Sequence, residues 1–189
     1  MNEIMKYDKQ RLIQLIKEHA LKFGDFTLAS GKKASFYLDC RKLTLTGEGS
    51  NLIAHGILDL LEPDFPDAVG GMAIGADPIT AAVTAIGWQR GTSIRGFIVR
   101  KESKAHGTGQ DVEGPVHSGD TAVIVEDTVT TGGSSLRAIE KAREFGLEIQ
   151  QVIAVVDRLD GAGELFAQHN IPFQSLVSIT ELGIEKAVT

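Results

Sequence analysis

Residues 123–135 read VIVEDTVTTGGSS, and this order of residue types decides the fold. The apolar run Val123-Ile124-Val125 ends in two adjacent carboxylates, Glu126 and Asp127, and then gives way to hydroxyls and glycines. The β-branched run predicts a strand. Ser134 or Ser135, standing before the helical pattern SSLRAIEKAREF, predicts the cap of a following helix. Between strand and helix, the backbone N–H groups of residues 130–134 are uncrowded at Gly132 and Gly133 and suit a phosphate held at the positive end of that helix. No lysine stands between Thr128 and Leu136, so this is not a nucleoside-triphosphate loop, and a phosphate monoester is the better guest. Glu126 and Asp127 would repel a phosphate placed beside them. Their natural partners are hydroxyl donors, such as the 2,3-diol of a ribose, or a shared Mg²⁺.

Outward from this stretch, short apolar runs alternate with helical patterns from residue 67 onward: AVGGMAIG, DPITAAVTAIGWQ, IRGFIVR, TAVIVED, IQQVIAVVD, GELFAQHN and PFQSLVSIT. Such alternation predicts an α/β fold, a central parallel β-sheet flanked by helices. VIV, FIV and VIAVV read as strands buried on both faces. Ligands of such sheets sit beyond the carboxyl ends of the strands, so the residues after each run carry the chemistry. The first third has another texture: a helix over residues 9–23, two short strands joined at residues 30–33, and a second helix in GEGSNLIAHGILDLLE. One domain over residues 1–189 is expected, with 1–62 forming the helix and hairpin region and 63–189 the sheet core.

Residues 100–118 carry little hydrophobic content and several glycines, and a structureless loop of that length is usually functional. Arg100, Lys101, Lys104 and His106 crowd its start, which suits a mobile lid that stabilises a polyanionic leaving group and excludes water. Arg158 follows the run VIAVVD. By position alone it is either a surface ion-pair partner or a fork for a planar carboxylate.

These motifs carry a family resemblance. EDTVTTGGS is similar to the motif with which type I phosphoribosyltransferases bind 5-phosphoribosyl 1-diphosphate (PRPP), which implies PRPP contacts for Glu126, Asp127, Thr128, Val129, Thr130, Thr131, Gly132, Gly133 and Ser134. RKESKAHG resembles the catalytic loop of orotate phosphoribosyltransferases on Arg100, Lys101, Glu102, Lys104, His106 and Gly107. The resemblance implies that Lys104 and His106 meet the diphosphate, that Arg100 and Lys101 complete the anionic pocket, and that the loop crosses a homodimer interface into the neighbouring site. VVDR looks like the place where that family sets an arginine on the pyrimidine, so Arg158 is expected on orotate, with Thr130, Tyr37 and Leu38 beside it.

The segment FGDFTLASG, followed by Lys33, Ser35 and Asp39, resembles the family's N-terminal hood; Ala29 stands where some members carry a ligand-binding lysine. GGMAIGADPIT resembles the diphosphate-side loop, with Ile74 and Gly75 presenting backbone N–H groups where some members have a Tyr-Lys pair. Together the blocks imply the type I phosphoribosyltransferase fold, with a small hood and a flexible catalytic loop. They also imply Mg²⁺-dependent transfer of phosphoribosyl from PRPP to orotate, the metal being held mainly by PRPP near Asp127. A purine or uracil phosphoribosyltransferase would share EDTVTTGGS but not RKESKAHG or Arg158. A non-catalytic PRPP sensor would be expected to add a DNA-binding segment or a basic face.

The whole chain agrees in its bulk properties. Its 189 residues are 42% hydrophobic with a formal net charge of -6, enough to bury a full core and poorly suited to nucleic acid or an anionic membrane. Cys40 is the single cysteine, which excludes an internal disulfide and a multi-cysteine metal site and favours a reducing, cytoplasmic setting. Arg41 and Lys42 would lower the Cys40 pKa, although a structural role is expected. His19, His55, His117 and His169 have no metal-ligand spacing. No apolar run is long enough to cross a bilayer.

Overall fold

The computed structural model describes residues 6–27, 33–102 and 111–185. Asp8 opens α1 (Lys9–Leu15) by accepting a hydrogen bond from the Arg11 amide at 2.9 Å, and a π-helical turn (Ile16–Ala20) continues it. The chain then extends into β1 (Leu21–Thr27), antiparallel to β2 (Lys33–Leu38), with Leu21 opposite Leu38 and Phe23 opposite Phe36. The helix expected over residues 9–23 therefore ends at Ala20. The apolar spacing of residues 21–23 is satisfied by cross-strand pairing instead, and the Asp39 amide closes the junction on the Ala20 carbonyl at 3.0 Å. Ala29 and the turn residues Ser30, Gly31 and Lys32 lie outside the described residues, whereas Lys33 is in β2.

Two helices follow the hairpin, α2 (Arg41–Thr44) and α3 (Gly47–Leu61), the second capped by the Thr46 hydroxyl, which accepts from the Gly49 amide. Then come β3 (Ala68–Met72), α4 (Ala76–Gln89), β4 (Arg95–Val99), β5 (Val112–Glu113), β6 (Thr121–Val129), α5 (Gly133–Phe145), β7 (Glu148–Asp157), α6 (Ala162–Gln168) and β8 (Phe173–Ser178). They form a six-stranded sheet in the order β5-β4-β3-β6-β7-β8, parallel except for β5.

Alternate residues of the central strands serve opposite faces, as the pleat requires. Val123, Val125, Ile153 and Val155 pack with Leu12, Ile57, Ile79 and Val83 from α1, α3 and α4. Ala122, Ile124, Val152 and Ala154 pack with Ala138, Ile139 and Phe166 from α5 and α6. The N-terminal helices thus share a hydrophobic cluster with the sheet. The expectation of full burial holds for the runs VIV of β6 and VIAVV of β7 but not for FIV of β4, where Ile98 is partly exposed because only the two-residue β5 lies beyond it.

Residues 111–118 are less open than the sequence suggests. The Arg100 amide donates to the Asp111 carbonyl at 2.8 Å, β5 pairs with β4, and Val112 and Val116 are buried. Two apolar side chains with core to bury tie residues 111–118 to the sheet edge. Lys141 of α5 draws both stems together, reaching the Arg100 carbonyl at 2.9 Å and the Asp111 carboxylate at 3.2 Å.

The topology also predicts where a ligand belongs. From β3 the chain winds outward through β4 to one edge, then returns to the other side of β3 and winds outward through β6, β7 and β8. The order reverses between β3 and β6, and the loops leaving the carboxyl ends of those neighbours diverge to open a crevice.

Candidate active site

A cavity of about 360 Å³ occupies that crevice. Tyr37, Leu38, Asp39 and Arg41 enter from the hairpin and α2, Met72 through Gly75 from the loop after β3, Glu126 through Thr128, Thr130 and Ser134 from β6 and the turn beyond it, and Arg158 from the end of β7. Segments that are distant in the chain are thus gathered around one space by the sheet and the hairpin packed over it.

The strand expected to stop at the two acids continues to Val129, with Thr128 opposite Val156 and Val129 opposite Asp157. Glu126 and Asp127 are therefore held on a rigid strand end. Burial drives the Glu126 carboxyl up to about 7, with the adjacent Asp127 charge adding to the effect and a hydrogen bond from the Ser135 hydroxyl at 3.1 Å opposing it. Asp127 is also raised, mainly by burial, against its hydrogen bond from the Thr128 amide and the positive charge of Arg41. Two half-desolvated carboxylates at a cavity wall call for hydroxyl or cationic partners.

Glu126 implies a pH dependence of folding. Its folded pKa lies above its ordinary 4.5, so the native chain retains a proton that the unfolded chain releases. Stability from this group is complete below about 4.5 and is lost as pH rises through about 7. Without ligand, unfolding free energy is expected to fall between pH 5 and pH 8 by on the order of 2 kcal/mol. Glu126→Gln should flatten that slope, as read from urea midpoints at the two pH values.

The helix start differs from expectation. Gly132, not a serine, is the N-cap of α5, with φ 82° and no side-chain capping bond. Ser134 lines the cavity, and Ser135 turns inward to Glu126. The first turn of α5 thus presents its amides and positive end without a capping side chain of its own, which is the arrangement that receives an anion. Val129 is buried and gives the cavity no side chain, and its carbonyl accepts from the Arg158 amide at 3.0 Å. Thr131, Gly132 and Gly133 form the turn but do not line the cavity.

Across the crevice, Gly75 begins α4. A Cβ there would stand 2.8 Å from Asp127 Oδ1 and 3.1 Å from Glu126 Oε1, so with the carboxylates as they stand the glycine lets this loop approach them closely. Ile74 is exposed, and the Ala73–Ile74 peptide is cis.

Arg158 lies with its guanidinium carbon 4.8 Å from the centre of the Phe36 ring. Its Nε is 3.2 Å from Asp160 Oδ2 but is not aligned for a hydrogen bond. A planar cation laid on an aromatic face at a cavity wall is placed to receive a planar carboxylate. Tyr37 and Leu38 line the same end from the next two positions of β2.

Arg100 does not line this cavity and pairs with Glu113 at 2.5 Å. Lys101 is exposed and also stands outside the lining. Lys104 and His106 lie outside the described residues. Cys40 is wholly buried, and burial pushes its thiol up to about 12; the lowering by Arg41 and Lys42 that their adjacency suggests does not occur, and Cys40 instead accepts a hydrogen bond from the Thr128 hydroxyl at 3.3 Å. Ser135 and Arg41 were not legible as site residues, since their roles depend on contacts made across the strand-to-helix turn and at the hairpin exit.

Among the described residues, no group of three or more His, Cys, Asp or Glu is placed to hold a metal. The donor set, two adjacent carboxylates beside the uncapped start of α5, would suit a Mg²⁺ held chiefly by oxygens of a bound ligand rather than by the protein alone.

A scan against models of known protein families gives no match. The chain is 50% identical over 184 residues to an orotate phosphoribosyltransferase of Rhodopirellula baltica, covering 94% of this chain and 95% of that one. It is 43% identical over 183 residues to one of Corynebacterium glutamicum, covering 97% and 98%. The solved Mycobacterium tuberculosis orotate phosphoribosyltransferase in complex with PRPP superposes with a TM-score of 0.79 at 32% identity, over 93% of this chain and 99% of that one.

The sheet order, the crevice at its reversal and the glycine-started helix facing two carboxylates are those of a type I phosphoribosyltransferase. At such identity over nearly the whole of both chains, this chain belongs to the orotate phosphoribosyltransferase family.

Proposed function

We propose that this chain transfers the phosphoribosyl group of PRPP to orotate, giving orotidine 5′-phosphate and pyrophosphate, with Mg²⁺, in the synthesis of pyrimidine nucleotides (UMP). The observation that carries this reading is a single cavity joining an uncapped helix start, two carboxylates and an arginine stacked on an aromatic ring. Each matches one part of the two substrates. The start of α5 receives the 5-phosphate through the turn from Thr130 to Ser134, and Glu126 and Asp127 accept the ribose diol. The backbone at Ile74 and Gly75 faces the diphosphate, and Arg158 holds the orotate carboxylate with Tyr37, Leu38 and Thr130 beside the ring.

In the reaction, an orotate ring nitrogen that has given up its proton to solvent forms a bond to the anomeric carbon while the bond to the diphosphate oxygen breaks, through an oxocarbenium-like state, and the electron pair leaves with pyrophosphate. Bound Mg²⁺ supplies positive charge to the diphosphate. Positioning of two anions and stabilisation of departing charge are what this chain provides. Lys104, His106, Arg100 and Lys101 are the cations proposed for the leaving group, delivered to the neighbouring site of a homodimer. That Arg100 and Lys101 stand outside the cavity of their own chain favours this arrangement. A cytoplasmic setting accords with a single cysteine that is buried and free. Among the described residues no helix is long and apolar enough to cross a membrane.

Orotate consumption followed by ultraviolet absorbance with PRPP and Mg²⁺, beside adenine, hypoxanthine and uracil, tests the proposal. Turnover with orotate alone is expected, and turnover with another base, or with none, would overturn it. Lys104→Ala is expected to lower turnover at least about tenfold, or about 1.4 kcal/mol, with an unchanged unfolding midpoint. Full turnover in that variant would remove Lys104 from the mechanism.

A further inference from the structure

We infer that Arg41 is a substrate-binding residue that meets the diphosphate of the activated sugar from within the same chain, held in place by Asp39. The inference rests on the transfer reaction proposed above and adds a cation that the loop motif does not contain.

The cavity is lined by three carboxylates, Asp39, Glu126 and Asp127, and among the described residues its cationic side chains are Arg41 and Arg158. A site for two polyanionic substrates must offset those carboxylates, and Arg158 is committed to the Phe36 side of the cavity. Arg41 is the remaining fixed charge. Its Nε and Nη2 lie 2.8 and 3.3 Å from the two oxygens of Asp39, which leaves Nη1 without a hydrogen-bond partner among the described residues. Half of the side chain is exposed, so this donor is open to a ligand.

The support beneath Arg41 is rigid. The Asp39 amide bonds the Ala20 carbonyl at 3.0 Å, the Arg41 amide bonds Asp39 Oδ1 at 3.2 Å, and wholly buried Cys40 is tied to Thr128 of β6. A guanidinium clamped on such a turn is oriented before ligand arrives, which lowers the entropy lost on binding.

Its position selects the anion. The phosphate monoester belongs to the start of α5 and the base carboxylate to Arg158. Arg41, Gly75 and Asp127 line the same cavity, and Asp127 Oδ1 abuts Gly75 of the loop after β3. Arg41 therefore flanks the part of the wall shared by Asp127 and Gly75, where the diphosphate leaves C1 of the ribose.

Calorimetric titration of wild type, Arg41→Ala and Arg41→Lys with PRPP, inorganic pyrophosphate and ribose 5-phosphate, all with Mg²⁺, tests the inference. Arg41→Ala is expected to weaken PRPP and pyrophosphate at least about tenfold, since a charge-assisted bond is lost, and ribose 5-phosphate less than about threefold. Arg41→Lys should fall between, keeping the charge without the fork. Equal losses for PRPP and ribose 5-phosphate, or unchanged pyrophosphate binding, would overturn the inference while leaving the proposed reaction standing. A wild-type chain without affinity for PRPP would overturn that reaction, and the inference with it. An unchanged thermal midpoint in Arg41→Ala, expected for a half-exposed side chain, separates lost contact from lost fold.

Discussion

Arg158→Ala is expected to lower kcat/KM for orotate at least about a hundredfold while PRPP affinity changes less than about threefold. The reason lies in how the guanidinium is held. The end of β7 fixes the Arg158 backbone through its amide bond to Val129, and the Phe36 ring supports one face of the side chain. A forked donor in that setting loses little freedom on binding a planar carboxylate, and its removal leaves the ligand carboxylate without its forked partner in a cavity lined by three carboxylates. Arg158→Lys should recover only part of the activity, because an ammonium neither stacks on Phe36 nor offers two parallel donors. Steady-state kinetics at fixed saturating PRPP would read both variants. Equal losses for PRPP and orotate would place Arg158 in general support of the cavity instead of at the base.

Gly132→Val is expected to abolish measurable PRPP binding and to destabilise the fold by at least ~2 kcal/mol. At φ 82° this position is left-handed, which a β-branched residue resists, and a Cβ would lie 3.0 Å from the Phe166 ring and 3.2 Å from Leu165 Cδ2. Phe166 is wholly buried, so the ring cannot yield without disturbing the cluster beneath α5. The turn that aims the amides of α5 into the cavity would move instead. Gly133→Ala is the control. Its Cβ would meet nothing nearer than 3.8 Å and it begins a helix, so stability should stay within about 0.5 kcal/mol of wild type. Denaturant unfolding and PRPP titration on the pair distinguish the strained position from the unstrained one beside it.

The parallel sheet and its helices were legible because the two periodicities, buried β-branched runs and helical spacing, are local, and EDTVTTGGSS stood out as a candidate site because its carboxylates, hydroxyls and glycines are neighbours in the chain. The boundaries shifted where a distant segment offered a better partner. Residues 21–23 left the helical pattern to pair with residues 36–38, and residues 111–113 left an apparent loop to pair with β4. Ser135, one of the two serines expected to cap the helix, is the hydrogen-bond donor to buried Glu126, and the left-handed Gly132 takes the capping position.

Local pattern thus settles which residue types are available to a site, since alternation, capping and turn preference act over a few residues. It cannot settle which of them face one another. The crevice exists because strand order reverses between β3 and β6, which brings Gly75 against Asp127, while the packing of the separate hairpin and α2 over the strand ends sets Phe36 against Arg158 and Arg41 at the same space. The raised pKa of Glu126 has the same origin, because desolvation depends on everything packed around a carboxylate and not on its neighbours in sequence.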